Sequence, residues 1–544
     1  MMKSKIFYIL LLGLAISCAE EYVPDYSKVE DTDNKEEVTG NATTYTISLS
    51  DIHQEMDNFG ASDAWTMKFL GKNWPETKKQ QVADLLFSQE FDSDGNPKGI
   101  GLSLWRVNFG AGSSQKPYKN LGDQWSRMPC MRTATGEYML SLSDEAGGQF
   151  WMMKAAKERG CDQFLGFANS PPYYWTHTGY TTSMDNDAYI YKLNLKSEYL
   201  DDYSEYLADL VEKINEKHGV YFDYVAPINE PEWEADGTES CHATNEEIST
   251  VAKSVNNAFA RRGLKTKVFI AESGKHQFIY DTERGIPNPS NYAQKAKEFF
   301  SLGSSKSLLE CNNVARILGS HSYWTVDTDN QLKQIRTQVG EEIKRYGIKF
   351  WQTEFCILSD DHDLGTKPDG TPVGGSGYDT SMELALYVAR IIHADIVFGN
   401  ASAWHWWLAV TPYDYKDGLL QMTENFSDGE ITTSKLLWTF GNFSRFIRPH
   451  AQRLGISSDV DVSNLKDVMV SSYRNVDNKL VVVVINFSQQ DKPVRLNVSD
   501  GQKRSFIPYI TSAKEKDNLR RMDAIMSETA FNVPARSVIT LCEE

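Results

Sequence analysis

Two short segments set a carboxylate in an otherwise apolar or aromatic run: Ile228-Asn229-Glu230-Pro231 and Trp351-Gln352-Thr353-Glu354-Phe355. Two acids that meet across one cleft suit glycoside chemistry, in which one protonates the leaving oxygen and the other attacks the sugar or activates water. Each role needs its own surroundings. A carboxyl against aromatic walls is desolvated and its pKa rises, which suits a proton donor, whereas one held by cations or hydrogen-bond donors stays ionised. Taken singly, each acid has a plainer explanation. Glu230 beside Pro231 could open a helix, where an acid favours the dipole, and Glu354 could be a strand-end acid paired with an arginine. The joint occurrence of both at strand ends favours chemistry.

The elements that must position them follow from periodicity. Eight β-rich runs span Asp57–Asp63, Gly101–Phe109, Gln163–Ser170, Phe222–Asn229, Lys267–Ser273, Arg316–Tyr323, Ile348–Phe355 and Ala401–Leu408. Helical patterns lie between them: Thr77–Ser88, Asp144–Arg159, Ser197–Lys217, Asn245–Arg262, Asn330–Tyr346 and Asp379–Phe398. Eight β-α repeats imply an α/β fold, the (β/α)8 TIM barrel, whose active sites sit at the C-terminal strand ends. Strands apolar at nearly every position fit a parallel sheet covered by helices, and a doubly wound open sheet would show similar runs. The count of eight favours the barrel. Glu230 and Glu354 then close strands four and seven.

After Trp438 the pattern changes to strands without long helices: Asp467–Arg474, Lys479–Phe487, Val494–Val498, Gln502–Ile510 and Ser537–Cys542. This reads as a side antiparallel β-sandwich. Thr44–Leu49 is a further β run that could join it or cap the barrel bottom. The expected domains are a catalytic barrel at 57–436 and a discontinuous sandwich at 44–56 plus 437–544.

The chain has 544 residues, 41% hydrophobic, with a net charge of -18, which repels phosphate backbones and excludes nucleic acid as a natural partner. Its 13 Trp, 26 Tyr and 25 Phe suit core packing or stacking on uncharged ligands such as sugars. At the start, Lys3 and Lys5 precede an apolar run from Ile6 to Ile16, the pattern of a bacterial secretion signal at 1–17. Leu14-Ala15-Ile16-Ser17-Cys18 resembles a lipobox, so Cys18 is the expected lipidation site, with an ordinary signal peptide as the alternative. Residues 18–43 are acidic and poor in apolar periodicity, as expected of a disordered tether. The expected location is the bacterial cell envelope, with the membrane met only through the lipid. Cys130, Cys161, Cys241, Cys311, Cys356 and Cys542 are too scattered for a disulfide scaffold, and without a CxxC pair no metal site is expected.

A series of segments resembles glycoside hydrolase family 30: Asn58–Ser62 (NFGAS), Leu104–Gly110 (LWRVNFG), Ala168–Trp175 (ANSPPYYW), Ala226–Trp233 (APINEPEW), Gly319–Trp324 (GSHSYW), Trp351–Phe355 (WQTEF) and Ala403–Leu408 (AWHWWL). Leu437–Pro449 resembles the family's passage from barrel to side domain. INEPEW followed by Glu239–Asn245 (ESCHATN) is most similar to the endo-β-1,6-galactanase branch. The resemblance implies that Glu230 is the acid/base and Glu354 the nucleophile of a retaining double displacement. It implies no cofactor, a monomer, and a β-linked polysaccharide or oligosaccharide as substrate.

Around this pair, Asn229 could donate to the sugar 2-hydroxyl, and Arg106 at the end of strand two could hold Glu354 ionised. His321 and Tyr323 alternate on strand six and would point the same way. Trp175, Trp233 and Trp407 are the expected sugar-stacking rings. Alternation separates Trp407 and His405 from Trp404 and Trp406, and the resemblance selects Trp407. Asp63 and Trp65, just after strand one, are further sugar-binding candidates. The loop Asp360–Tyr378 is polar and Gly-rich and could shape a lid or subsite. β-1,6-Glucan and glucuronoxylan are the alternative substrates. A lipoprotein that binds carbohydrate without turnover is the alternative class, against which stands the presence of both glutamates.

Overall fold

The computed structural model describes residues 41–185, 188–233, 237–281, 288–358, 374–375 and 377–544. The signal, Cys18 and nearly all of the expected tether lie outside the described residues, as does most of the loop 360–378. Among the described residues no helix is long and apolar enough to cross a membrane.

Eight parallel strands close into a barrel in chain order: Asn58–Ser62, Leu104–Asn108, Gln163–Phe167, Tyr224–Ala226, Lys267–Ser273, Val314–His321, Lys349–Glu354 and Ala401–Thr411. Strand eight pairs with both strand seven and strand one, which completes the ring. The fold is therefore the TIM barrel expected from the sequence. The strands are buried on both faces, which is why they read as unbroken apolar runs. Inside the ring, Leu104, Leu165, Phe167, Phe269, Ile317 and Trp351 pack as one cluster. Trp404 and Trp406 point outward into the layer beneath the helices, while Trp407 faces the interior cluster.

Strand four is shorter than the expected Phe222–Asn229. Pro227 has no N–H to continue the ladder, so pairing ends at Ala226 and the chain is released into the loop that carries Glu230.

The covering helices carry their own stop and start signals. Helix Asn245–Arg262 opens with a capping box between Thr244 and Glu247 and closes at Gly263, whose φ of 66° a side chain would disfavour. Arg261 and Arg262 in its last turn complement the helix dipole.

The remaining strands form a second sheet in which Val468–Arg474, Leu480–Asn486, Ser537–Glu543 and Ser505–Ser512 pair antiparallel. Thr43–Glu55 joins this sheet, antiparallel to Gln452–Ser458 and parallel to Lys492–Val498. Gln452–Ser458 and Ala530–Val533 are strands that pattern reading passes over, because their exposed and half-buried positions dilute the apolar alternation. The expected boundary at 436/437 falls inside helix Lys435–Ser444. That helix joins the two sheets: Asn442 Nδ2 donates to Tyr509 O at 3.1 Å, and Thr540 Oγ1 donates to Asn442 O at 2.6 Å.

All six cysteines among the described residues are free, and Cys130, Cys161, Cys241 and Cys356 are buried.

Candidate active site

A cleft of about 290 Å³ opens at the C-terminal ends of the barrel strands, and both glutamates line it. Glu354 ends strand seven, and Glu230 sits in the loop after strand four. One oxygen from each, with a ring nitrogen of His321, falls within a 4.8 Å span. An approach of this size fits the close carboxyl pairing of retaining glycosidases, about 5–5.5 Å, better than the roughly 6.5–9.5 Å of inverting ones.

Strain is concentrated here. Trp65, Glu230, Glu272 and Trp324 all have positive φ, at 72°, 44°, 48° and 55°. Non-glycine residues in this region cost about 1–3 kcal/mol each and persist only where the surroundings hold them. Glu230 is held by its own N–H, which donates to Glu272 O at 2.8 Å.

Beneath the two glutamates lies a fully buried network. Arg106 Nη1 donates to Glu354 Oε2 at 2.7 Å, and its Nη2 donates to Asn229 Oδ1 at 2.8 Å and to Glu272 Oε1 at 3.3 Å. The guanidinium also lies 3.7 Å over the Phe167 ring, which fixes its plane. His321 Nδ1 lies 2.8 Å from Glu230 Oε1, and its Nε2 lies 3.4 Å from Glu272 Oε2. Thr353 Oγ1 donates to Glu272 as well. Tyr323 OH donates to Glu354 Oε1 at 3.0 Å. Glu272 therefore braces both Arg106, which holds the nucleophile candidate, and His321, which holds the acid/base candidate.

The charges follow from these partners. Burial would lower His321, but Glu354, Glu230 and Glu272 outweigh it and raise its pKa to about 10, so the ring is a cation at neutral pH. Burial would raise Glu272, but Arg106, His321 and Thr353 hold it at about 2. Burial pushes the Glu354 carboxyl above its usual range, His321 and Arg106 pull it down, and the Glu230 charge adds to the rise. Burial keeps the Tyr323 phenol protonated and thus a donor.

Glu230, His321 and Glu354 also have the spacing of a metal-binding trio. Each of the three already has protein partners, His321 on Glu230, and Arg106 and Tyr323 on Glu354.

Most of the residues singled out from the sequence converge on this cleft. Asn229, Glu230, Glu354, Tyr323, Trp233, Trp407 and Trp65 line it. Trp65 stands edge-on to Trp407, with ring centres 5.4 Å apart. Arg106 and His321 are fully buried; Arg106 lies on Glu354, the acid it is expected to hold, and His321 on Glu230.

Two expectations are corrected. Asp63 is buried in the barrel wall, where Asn108 N–H and Gln149 Nε2 donate to its two oxygens at 2.9 and 3.0 Å, and burial raises its pKa to about 7. Trp175 is 6% exposed, stacked on Tyr199 and edge-on to Tyr206, so its ring is core. Conversely, sequence reasoning misses Glu272, Trp324 and Asp417. The signal for Glu272 is an acid closing the apolar run of strand five, as Glu354 closes strand seven. Trp324 packs against Trp233 with ring centres 4.6 Å apart at the cleft rim.

Residues 42–421 match the family described as O-Glycosyl hydrolase family 30, and residues 450–541 match the Glycosyl hydrolase family 30 beta sandwich domain. A curated endo-β-1,6-galactanase from Hypocrea rufa is 24% identical over 263 residues, 45% of this chain, and the chain spans about half (52%) of that relative's length. A conserved exported protein from Bacteroides fragilis has a crystal structure that superposes with a TM-score of 0.81 at 33% identity, covering 92% of this chain and all of that one. The catalytic domain of the family 30 xylanase C from Talaromyces cellulolyticus superposes with a TM-score of 0.64 at 20% identity, over 92% of this chain and all of its own. With the barrel, its side sheet and the family match over most of its length, the chain belongs to glycoside hydrolase family 30.

Proposed function

We propose that the protein is a retaining β-glycoside hydrolase acting on a β-linked polysaccharide, with β-1,6-galactan as the substrate. The observation that carries the reaction type is the pairing of Glu230 and Glu354 in one cleft, within 4.8 Å of each other. Glu354, gripped by Arg106 and Tyr323, attacks the anomeric carbon while Glu230 protonates the leaving oxygen. A covalent glycosyl-enzyme forms, and Glu230 then takes a proton from the incoming water as the C–O bond to Glu354 breaks. His321, hydrogen-bonded to Glu230 at 2.8 Å, orients that carboxyl. Arg106 accounts for the Asn229 oxygen, which leaves the amide N–H groups as the end available to a sugar 2-hydroxyl.

The galactan reading rests on the likeness to the galactanase and on the INEPEW and ESCHATN segments. β-1,6-Glucan and glucuronoxylan are the competing substrates. The chain start adds a lipid anchor at Cys18 and the acidic tether, which would hold the enzyme, as a monomer, at the cell envelope. A product screen of residues 42–544 on linear β-1,6-galactan, β-1,6-glucan and glucuronoxylan tests the reading. Galacto-oligosaccharides from the first are expected, and no product from any of the three would contradict it.

A further inference from the structure

The turn that carries Glu230 is tied to a buried ion pair outside the network around Arg106. Glu232, two residues further on, is 4% exposed, and Lys295, which opens helix Lys295–Phe300, is fully buried. Lys295 Nζ donates to Glu232 Oε1, and Gly274 N–H donates to Glu232 Oε2 at 3.3 Å. The Lys295 ammonium also lies 5.3 Å from the centre of the buried Phe278 ring. Burial lowers the Lys295 pKa, and the Glu232 charge works against that fall.

Glu232 reaches the acid/base candidate both along the chain and through space. Gly274 follows strand five, and a Cβ built on it would stand 3.4 Å from Glu230 Oε1 and 3.7 Å from its Cδ. The backbone that Glu232 holds is thus the backbone against which the Glu230 carboxyl rests. The turn closes through Trp233 N–H, which donates to Glu230 O at 2.9 Å, while Ala243 N–H donates to Pro231 O at 3.1 Å. Glu230 keeps its positive φ only while such contacts over-determine it. Replacing a buried ion pair by uncharged residues of similar volume is often neutral for stability, so what these charges add is position.

We infer that Glu232 and Lys295 are positioning residues that aim the Glu230 carboxyl at the leaving oxygen, acting through the turn 230–233 and through Gly274. This rests on the proposed acid/base role of Glu230 and deepens it, since neither residue of the pair touches substrate. A proton donor must sit within hydrogen-bond reach of the oxygen it protonates, and a small displacement is costly. That cost falls only on leaving groups that need the proton.

The test measures kcat/KM on phenyl and 2,4-dinitrophenyl β-D-glycopyranosides in the galacto and gluco series, read in the series that the natural protein cleaves faster. Phenol needs a proton to leave and dinitrophenol does not. Because kcat/KM reports only the steps up to the glycosyl-enzyme, the later base step does not enter. The variants are Glu232→Gln/Lys295→Met, which removes both charges and leaves no ion unpaired, Glu230→Ala, and the three substitutions together. The pair variant should lose about 10- to 100-fold on the phenyl glycoside and less than about threefold on the dinitrophenyl one. In the Glu230→Ala background the same pair of substitutions should change either rate by less than about threefold, because the carboxyl it positions is gone. A melting curve checks folding, and Lys295→Gln, expected to act in the same direction with a smaller loss, is read in the same way if the pair variant melts early. Equal losses on the two substrates, a natural ratio in the pair variant, or a phenyl-specific loss that persists without the Glu230 carboxyl would each overturn the inference while leaving the role of Glu230 in place. If Glu230→Ala loses both substrates equally, the acid/base role falls and this inference with it. Cleavage of neither series by the natural protein would contradict the hydrolase reading and the inference together.

Discussion

Two clusters in this barrel, each built on a fully buried histidine and arginine, use the same residue types and reach opposite charge states. At the mouth, Arg106 and His321 are set among three carboxylates, Glu230, Glu272 and Glu354, and His321 is raised to about 10. Behind strand six, His276 and Arg336 share the single carboxylate of Asp395, at 3.3 and 2.8 Å, and His276 is pushed down to about 4 by burial with Arg336 adding to the effect. Both histidines are fully buried, so burial does not make the difference. The number of anions per cation does: three acids keep a buried histidine charged, whereas one acid already committed to an arginine does not. The neutral cluster fixes packing through Ser320, Ser322 and Trp404. The charged one supplies a cation to hold an acid that must give up and regain a proton.

The largest break of this comparison is Glu354→Ala, which removes the attacking carboxylate and should cut kcat by about 10⁵-fold while leaving the fold in place. Steady-state rates on the cleaved polysaccharide check it. Glu272→Gln should come next. It touches no substrate, yet it loosens both Arg106 and His321, and a loss of about 10- to 100-fold in kcat is expected, with KM nearly unchanged. A larger change in KM than in kcat would argue that Glu272 only shapes the cleft.

The pH dependence of stability sharpens the contrast, because the two histidines have opposite signs. His321 has a folded pKa near 10 against an ordinary 6.5, so its contribution is full below 6.5 and is lost as pH rises through about 10. His276, held near 4, must gain a proton on unfolding, so its contribution is lost as pH falls from 6.5 toward 4. Denaturant midpoints across pH should show the alkaline slope reduced in His321→Gln and the acid slope reduced in His276→Gln. Equal effects of the two substitutions on either limb would contradict the charge assignment. The smallest effect on turnover should come from Asp395→Asn, which breaks a buried ion pair and costs about 3–5 kcal/mol of stability while kcat of the folded enzyme falls far less than in Glu272→Gln.

What the sequence makes legible follows the same division. The eight strands, the glutamate in the loop after strand four and the one that ends strand seven are readable, because a carboxylate following an apolar run stands out against its period. Glu272 sits in the same kind of position and is not distinguishable in advance, since one chain position does not tell a braced acid from a solvated one. Trp175 and Asp63 fail for a related reason. A strand-end position fixes the end of the barrel a residue occupies, but whether its side chain turns into the cleft or back into the wall depends on neighbours from the covering helical segments, here Tyr199 and Tyr206 for one and Gln149 for the other. Asp417 lies beyond strand eight, where no periodic signal marks it.

The division of labour between Glu230 and Glu354 is tested most directly by the configuration of the azide product from Glu230→Ala. A 2,4-dinitrophenyl β-glycoside needs no proton to leave, so this variant should still form the glycosyl-enzyme on Glu354 and then stall, because no base remains to activate water. Azide needs no such base. Proton NMR of the product should show the β-glycosyl azide, formed by two inversions at the anomeric carbon. An α-glycosyl azide would mean that azide had replaced a lost nucleophile, and the roles of Glu230 and Glu354 would have to be exchanged.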